Sequence, residues 1–407
     1  MYSTAPFLSL PEVPDEQYAS LQSDAPLLNL YEAFGTVPDP RSRHGQRYDL
    51  PYLLTCLVAA LLCNCNSLEA VGQWCRDQPL LLRRLFGPRD FYTPTGSLYR
   101  RLLPRSSVGH IELVLAAWVN ASRPHRDEEA VALDGKTVRG AATAEQKGPH
   151  LLVFCTHESQ ETLLQVRVSE KTNEIPIAQE VLPFLPWQPR VYTADALHTH
   201  THFMSVVHTH SGFCVLTVKG NQPTLSADLA TYFNDPDTVI APLEQDSTRD
   251  LKRGRTELRS IQVSCGMNDY LASQWPLVHQ VARLTRTITT RKTSKTTQEV
   301  MYLLTDLTPI QASPRRLLDL VRGHWSVENC LHYVRDVSFG EDRSRLRTGS
   351  TPQIMAALRN LVITLIHRSG SSQIAASRRH FAACPHHVFS LLLQQRSPQQ
   401  SLTGSAT

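Results

Sequence analysis

The sequence predicts an α/β protein, with a mixed-sheet core that carries a β-rich insertion and follows an all-α N-terminal domain. Three observations predict it. Apolar residues recur at helical spacing from Leu27 to about Val119, where few residues favour strands. After Pro124 the period changes, and short apolar runs alternate with helical stretches. Between about 225 and 307, the segments Leu258–Cys265, Val278–Thr285 and Glu299–Leu304 are rich in Val, Thr and Ile.

Residues 1–26 are polar and acidic (Glu12, Asp15, Glu16, Asp24) and read as a loose leader. The helical N-terminal domain spans 27–122. Pro51 suits the first turn of a helix Tyr52–Cys63. Ser67 is placed to cap the next helix, Thr93-Pro94-Thr95 opens a third, and Val108–Val119 forms a fourth. In the core, 123–370, Ala130–Leu133 is a short buried strand ending at Asp134-Gly135-Lys136. Leu151–His157 and Thr162–Val168 alternate about a turn and read as a hairpin. A helix over Glu174–Phe184 follows, then a strand Arg190–Thr193 ending at Ala194-Asp195-Ala196. His198–His210 reads as a helix, and Phe213–Val218 as a strand ending at Lys219-Gly220-Asn221. The insertion occupies about 225–307. Helix returns at Ser313–Val321 and Trp325–Val337, then at Thr351–Ile366. Residues 371–407 read as a basic C-terminal tail with one helix, Ala383–Gln394.

With 407 residues and 41% hydrophobic content the chain is not a disordered one. Nine scattered cysteines without a CxxC pair read as reduced, buried thiols. The longest apolar run, Leu53–Cys63, falls short of the roughly 20 residues a membrane span needs, and Met1–Pro14 has no signal-peptide pattern. A cytoplasmic protein without a membrane partner is expected. The net charge is only +4, but it is unevenly spread. Arg83–Arg105 holds six arginines against one acid, and Arg283–Lys295 holds five basic residues and none. Such stretches are solvated faces or surfaces for a polyanion, whose phosphates lose counterions on neutralisation.

Two aspartates, Asp134 and Asp195, each follow a short apolar strand directly. Strand ends are where α/β sheets collect ligands, and two facing carboxylates repel unless a divalent cation lies between them. A third carboxylate, Glu328, lies in a segment where helical spacing puts His324, Glu328, His332 and Arg335 on one face. Trp325, Val327, Leu331 and Val334 then anchor the other faces. The alternative is a plain surface helix. A competing pattern, His198-Thr-His200-Thr-His202 after Asp195, invites a zinc-dependent hydrolase.

The run Gly323-His324-Trp325-Ser326-Val327-Glu328-Asn329, with Leu331-His332-Tyr333, Asp336-Val337-Ser338-Phe339 and Glu341-Asp342, resembles the C-terminal signature of ISAs-type (H-repeat-associated) insertion-sequence transposases. Leu133-Asp134-Gly135-Lys136 and Ala194-Asp195-Ala196-Leu197-His198 resemble that family's two catalytic-aspartate motifs, and Val218–Gln222 its following strand end. Val37-Pro38-Asp39-Pro40-Arg41 resembles the start of its helical associated domain. The likeness runs from about 27 to 395.

The resemblance implies a DDE transposase with a ribonuclease H-like core. It cleaves DNA at transposon ends and transfers strands into target DNA, and it works as a homo-oligomer on double-stranded DNA, nucleoid-associated when bound. Asp134, Asp195 and Glu328 would hold two Mg²⁺ (or Mn²⁺) ions, with Asp134 bridging. Lys136, Arg139, Lys219, Arg322, His324, His332 and Arg335 are the expected phosphate contacts. Asn329, Glu341 and Asp342 are expected to support the metal-binding acids. Related DDE groups carry a Tyr and an Arg where this chain has Val321 and His324. The remaining alternative is an inactive, transposase-derived DNA-binding protein.

Overall fold

The computed structural model describes residues 29–86, 93–123, 129–168, 174–182, 190–239, 241–252 and 254–393. The leader expected over 1–26 lies outside them. Six helices come first: α1 (Leu30–Phe34), α2 (Leu50–Leu62), α3 (Leu68–Asp77), α4 (Pro79–Phe86), α5 (Gly96–Leu102) and α6 (Val108–Ala121). Their starts are set by local chemistry. Asn29 and Glu32 form a reciprocal capping box on α1. The Ser67 hydroxyl accepts from the Ala70 amide at 3.1 Å, and Thr95 accepts from Leu98 at 3.3 Å. Helix α2 is apolar on all sides, and every residue except Pro51 is buried, so it forms the axis of the bundle.

Nine strands follow, interrupted by helices α7 (Glu174–Val181), α8 (Thr201–Thr209), α9 (Pro223–Asn234) and α10 (Asn268–Leu271). They are β1 (Glu129–Thr137), β2 (His150–Thr156), β3 (Thr162–Val168), β4 (Arg190–Ala194), β5 (Phe213–Val218), β6 (Glu244–Lys252), β7 (Arg255–Ser264), β8 (Gln280–Thr290) and β9 (Thr296–Thr305). All nine form one sheet in the order β3-β2-β1-β4-β5-β9-β8-β7-β6. The pairs β1–β4 and β4–β5 are parallel and the rest are antiparallel.

The inserted strands therefore prolong the core sheet, because β9 satisfies the backbone edge that β5 would otherwise expose. Strand β6 was not legible in the sequence. Its residues, Glu-Gln-Asp-Ser-Thr-Arg-Asp-Leu-Lys, have little strand preference, and it is held by pairing to β7 and by an Arg259–Asp250 ion pair at 2.6 Å. The insertion also opens on helix α9 rather than on a strand.

Side-chain alternation sorts the sheet into two faces. On one, Val131, Leu133, Tyr192, Ala194, Cys214 and Leu216 pack with α7, α8 and α9. On the other, Val191 and Val215 pack beneath α11 (Pro314–Val327), while Ala132 and Val153 join the helical bundle. Helix α11 passes into a π turn, Glu328–His332, then α12 (Tyr333–Val337). Helices α13 (Thr351–Arg368), α14 (Ile374–Ala383) and α15 (Pro385–Leu393) close the bundle.

Residues 374–393 form two packed helices where the sequence suggests one, and the rest of the expected basic tail, 394–407, lies outside the described residues. Ile374, Phe381, Val388, Phe389 and Leu392 enter the bundle core. The basic character of this stretch is partly internal. Arg378 is buried, donates to the carbonyls of Leu61 and Ser338 and to Asn66 Oδ1, and lies 3.9 Å over the Phe339 ring. The nine cysteines are free thiols. Among the described residues, no helix is long and apolar enough to cross a membrane.

A buried polar chain ties the bundle to the sheet. Glu341 accepts from Arg335 Nη2 at 2.7 Å and from Arg359 Nη1 at 2.8 Å. Asn360 accepts from Arg335 and donates to Gln165 Oε1 at 2.8 Å. Gln165 Nε2 donates to Glu112 Oε1 at 2.7 Å, and Gln353 Nε2 reaches both Glu112 oxygens at 3.0 Å. Burial pushes the Glu112 carboxyl from 4.5 up to about 8, against these hydrogen bonds. The folded chain thus holds a proton that the unfolded chain has released between these values. The contribution of Glu112 to stability is full below pH 4.5 and falls as pH rises toward about 8. Glu112→Gln is expected to flatten this slope, which is on the order of a few kcal/mol in total. Urea melts of both proteins between pH 5 and 8 measure it, and parallel slopes would refute it.

Candidate active site

Register and parity bring the two aspartates together. Leu133 of β1 pairs with Ala194 of β4 in parallel, so Asp134 and Asp195 stand one residue further along adjacent strands. Leu133 and Ala194 face the α7–α9 side, which turns Asp134 and Asp195 to the face that α11 crosses. On the next strand Thr217 has the same parity. Glu328, at the junction of α11 and the π turn, completes the wall of a cleft of about 530 Å³ that all three acids line. Among the described residues their ligand oxygens are not all drawn within 4.8 Å of one another.

Each acid is held differently. Asp134 is half-buried, with Oδ2 3.2 Å from His332 Nδ1. Asp195 is exposed and caps the 3₁₀ turn Ala196–His198, accepting from the Leu197 amide at 3.0 Å. Its loop is pinned from β5 and the residues after it. Thr199 Oγ1 donates to the Thr217 carbonyl at 2.6 Å, Asn221 Nδ2 to the Ala196 carbonyl, and Gln222 Nε2 to the Thr199 carbonyl at 3.0 Å. The Lys219-Gly220-Asn221-Gln222 stretch thus positions the second aspartate. Glu328 is exposed to the cleft.

The cations at the rim are Lys136, Arg139 and Lys219. Lys136 Nζ is held 2.6 Å from Asp336 Oδ2. His324 lies behind, its Nδ1 3.2 Å from Thr193 Oγ1, which is also 2.8 Å from His157 Nε2. Burial lowers the His324 pKa, although the charges of Asp134 and Asp195 pull it upward. Burial and His324 together bring His157 down to about 3. Gly323 permits this packing, since a Cβ there would stand 2.0 Å from His157 Nδ1.

A second layer was not foreseen. Glu174 bridges His150 Nε2 at 2.6 Å and His198 Nε2 at 3.1 Å. Burial opposes its ionisation, but the two histidines outweigh it and hold Glu174 at about 2. The Glu174 hydrogen bond in turn raises the His150 pKa, against burial. A Cβ on Gly135 would lie 2.0 Å from Glu174 Oε1, so the glycine after Asp134 makes room for this bridge. Nothing local in the sequence marks Glu174. Tyr333 and Asp336, which line the cleft, stood inside the motif that carries the family resemblance.

Several expected site residues lie elsewhere. Arg335 is fully buried and engaged by Glu341, not open to phosphate. The cause is the π turn: in an unbroken α-helix Arg335 would fall about two turns below Glu328. The wider turn rotates it inward and brings Asp336 to the cleft. Trp325, expected as an anchor, is 43% exposed at the cleft. Arg322 turns to β6 and donates to Asp250 at 3.1 Å. Asn329 donates to the Trp325 carbonyl at 3.0 Å. Glu341 is buried between Arg335 and Arg359, whose charges overcome its burial and hold it at about 2. Asp342 is exposed in the turn Glu341–Arg343, its carbonyl against Gly140.

The segment from His198 to His210 is a 3₁₀ turn followed by α8, not one helix. It spreads the zinc-site candidates apart. His198 is buried on Glu174, His200 precedes the helix at its cap position, and His202 is exposed on α8. They form no metal-sized cluster among the described residues.

Comparison with known proteins gives a consistent result. Residues 125–365 match the family model described as "Transposase DDE domain", and 31–119 match the model "DDE_Tnp_1-associated". Over 346 residues the chain is 24% identical to "Putative transposase YncI" of Escherichia coli O157:H7, covering 83% of this chain and 87% of that one. Over 354 residues it is 23% identical to "H repeat-associated putative transposase YhhI" of Escherichia coli strain K12, covering 84% and 90%. Among solved structures, a piggyBac transposase synaptic complex with hairpin DNA is similar at a TM-score of 0.45 and 11% identity, covering 95% of this chain and 83% of that one.

Proposed function

This chain belongs to the DDE transposase family of insertion sequences, enzymes that cleave and transfer DNA strands with a divalent cation, and from that premise we propose that Asp134, Asp195 and Glu328 are its catalytic, metal-holding acids. The observation that carries the reading is the Leu133–Ala194 register. It sets two aspartates side by side at parallel strand ends, under the helix that brings Glu328. The donors are all carboxylate oxygens, hard ligands that suit Mg²⁺ or Mn²⁺. Asp134 and Asp195 from the strand ends and Glu328 from the helix would together hold the divalent cations. Bound cations of this kind supply an activated oxygen nucleophile and stabilise the leaving 3′ oxygen.

The chain's own groups do the rest. His332 orients the Asp134 carboxylate from Nδ1. Lys136, steadied by Asp336, and the exposed Arg139 and Lys219 hold phosphate oxygens at the rim. His324 and Trp325 form the floor beside Glu328. The meander β1–β3, with β4 and β5 parallel to β1, supports a ribonuclease H-like core. A groove of about 770 Å³ lined by Arg100, Arg343, Arg345 and Arg347 runs between the bundle and the segment after α12. It suits the backbone of double-stranded transposon-end and target DNA. The reading carries with it a homo-oligomer that pairs two ends.

The test is strand cleavage of end DNA in Mg²⁺, comparing the wild type with Glu328→Ala. Cleavage by the wild type alone, with equal DNA retention by both, is the expected result. A cleaving Glu328→Ala overturns the triad. A wild type that binds the ends without cutting them supports the inactive alternative instead.

A further inference from the structure

We propose that His380, Cys384 and His387 form a metal site of their own, a Zn²⁺ clamp across the corner between α14 and α15. The three ligand atoms lie within 4.8 Å of one another, and they are the only such group among the described residues. His380 is in the last turn of α14 and His387 in the first turn of α15. Cys384 is the single residue between the helices, and Pro385 opens α15.

The spacing of the ring nitrogens fits a tetrahedral ion. His380 Nε2 and His387 Nδ1 stand 3.1 Å apart, with the rings stacked at 5.3 Å. A tetrahedral Zn²⁺ with nitrogen bonds of about 2.0–2.1 Å sets two such ligands about 3.3 Å apart. Two exposed imidazoles gain little from a single hydrogen bond in water. Two ring nitrogens and a thiolate are a soft set that favours Zn²⁺ over Mg²⁺, the opposite preference to the acidic cleft. On binding, Cys384 gives up its thiol proton to solvent and both imidazoles coordinate as neutral rings. Water takes the fourth position, since both histidines are exposed.

The corner is worth fixing because of what it holds. Phe389 stacks on Trp74 at 6.4 Å and meets Phe86 edge-on at 5.8 Å, and Cys63 Sγ donates to the Phe381 carbonyl at 3.2 Å. An ion at the turn keeps α15 seated on α2, α3 and α4.

The test uses the full chain, stripped with chelator and then given Zn²⁺ or Co²⁺ alone. One equivalent is expected to stay bound under excess Mg²⁺, and the Co²⁺ form is expected to show tetrahedral visible bands with a thiolate charge-transfer band. Cys384→Ser is expected to lose that charge-transfer band, and His387→Gln to weaken binding by more than the roughly 10–100-fold that loss of an outer partner costs. Zn²⁺ is expected to raise the Tm of the wild type and not of Cys384→Ser. Both variants change half-buried or exposed residues, and an unchanged circular dichroism spectrum without metal checks that they fold. Asp134→Ala and Glu328→Ala are expected to leave the Co²⁺ spectrum intact. A thiolate band that survives Cys384→Ser, or no metal retained under excess Mg²⁺, overturns the proposal.

Discussion

Asp134→Ala is expected to lose strand cleavage by roughly 10³-fold or more, about 4 kcal/mol of barrier, while holding end DNA as tightly as the parent. The carboxylate is one of the three acids that would hold the divalent cations, so its loss would remove a metal ligand. Its recorded partner is His332 Nδ1, and its side chain is 31% exposed. Removing one of three like charges that line a single cleft relieves repulsion. The Tm of Asp134→Ala is therefore expected to match or slightly exceed that of the wild type, as is common when a strained functional site is relaxed. Cleavage assays paired with thermal melts separate the two effects. Lost cleavage with a collapsed Tm would make Asp134 a structural residue and not a catalytic one.

Glu341→Gln should produce the opposite pattern, a large loss of stability with chemistry affected only through folding. It leaves Arg335 and Arg359 buried without their counter-charge, a defect of about 3–5 kcal/mol. The sign of its pH dependence follows from the depressed carboxyl. Unfolded Glu341 titrates near 4.5, whereas the folded one titrates at about 2. Its contribution is present above pH 4.5 and is lost as pH falls toward about 2. Denaturant melts at pH 7 and pH 3 check both statements. The gap between wild type and variant should narrow at the lower pH, and a constant gap would overturn the ion-cluster account.

Much of the acidic cleft was legible because strands announce their own ends. The apolar runs before Asp134 and Asp195 stop where polar residues begin, and period-two alternation fixes which face each aspartate takes. Glu328 was legible as a carboxylate in a polar stripe. The error at Arg335 shows the limit of that reading. Four-residue spacing describes a regular helix, and no local residue signals that Glu328–His332 widens into a π turn. Glu174 was invisible for another reason. Its meaning comes from His150 and His198, which lie 24 residues away on either side. The C-terminal helix α14 is hard to read because alanines and a Ser-Arg-Arg-His run leave only Ile374 and Phe381 as large apolar contacts. The His380–Cys384–His387 group spans that helix and the next, and its His-x₃-Cys-x₂-His spacing is visible in the sequence itself.

The π turn also acts as a mechanical coupling. Up to Val321 the helix is geared to the sheet and its inserted strands, while from Val327 onward its inner face meshes with the bundle. Two bodies are thus threaded on one rod, and the loosely wound turn between them is where any mismatch in their rotation is taken up. Glu328 sits at that slack point. The bundle also touches the sheet directly, through Ala132 two residues before Asp134, so the acids of the cleft are set from both sides of that joint. The cleft is in this sense a joint whose alignment reports how well the two bodies are seated.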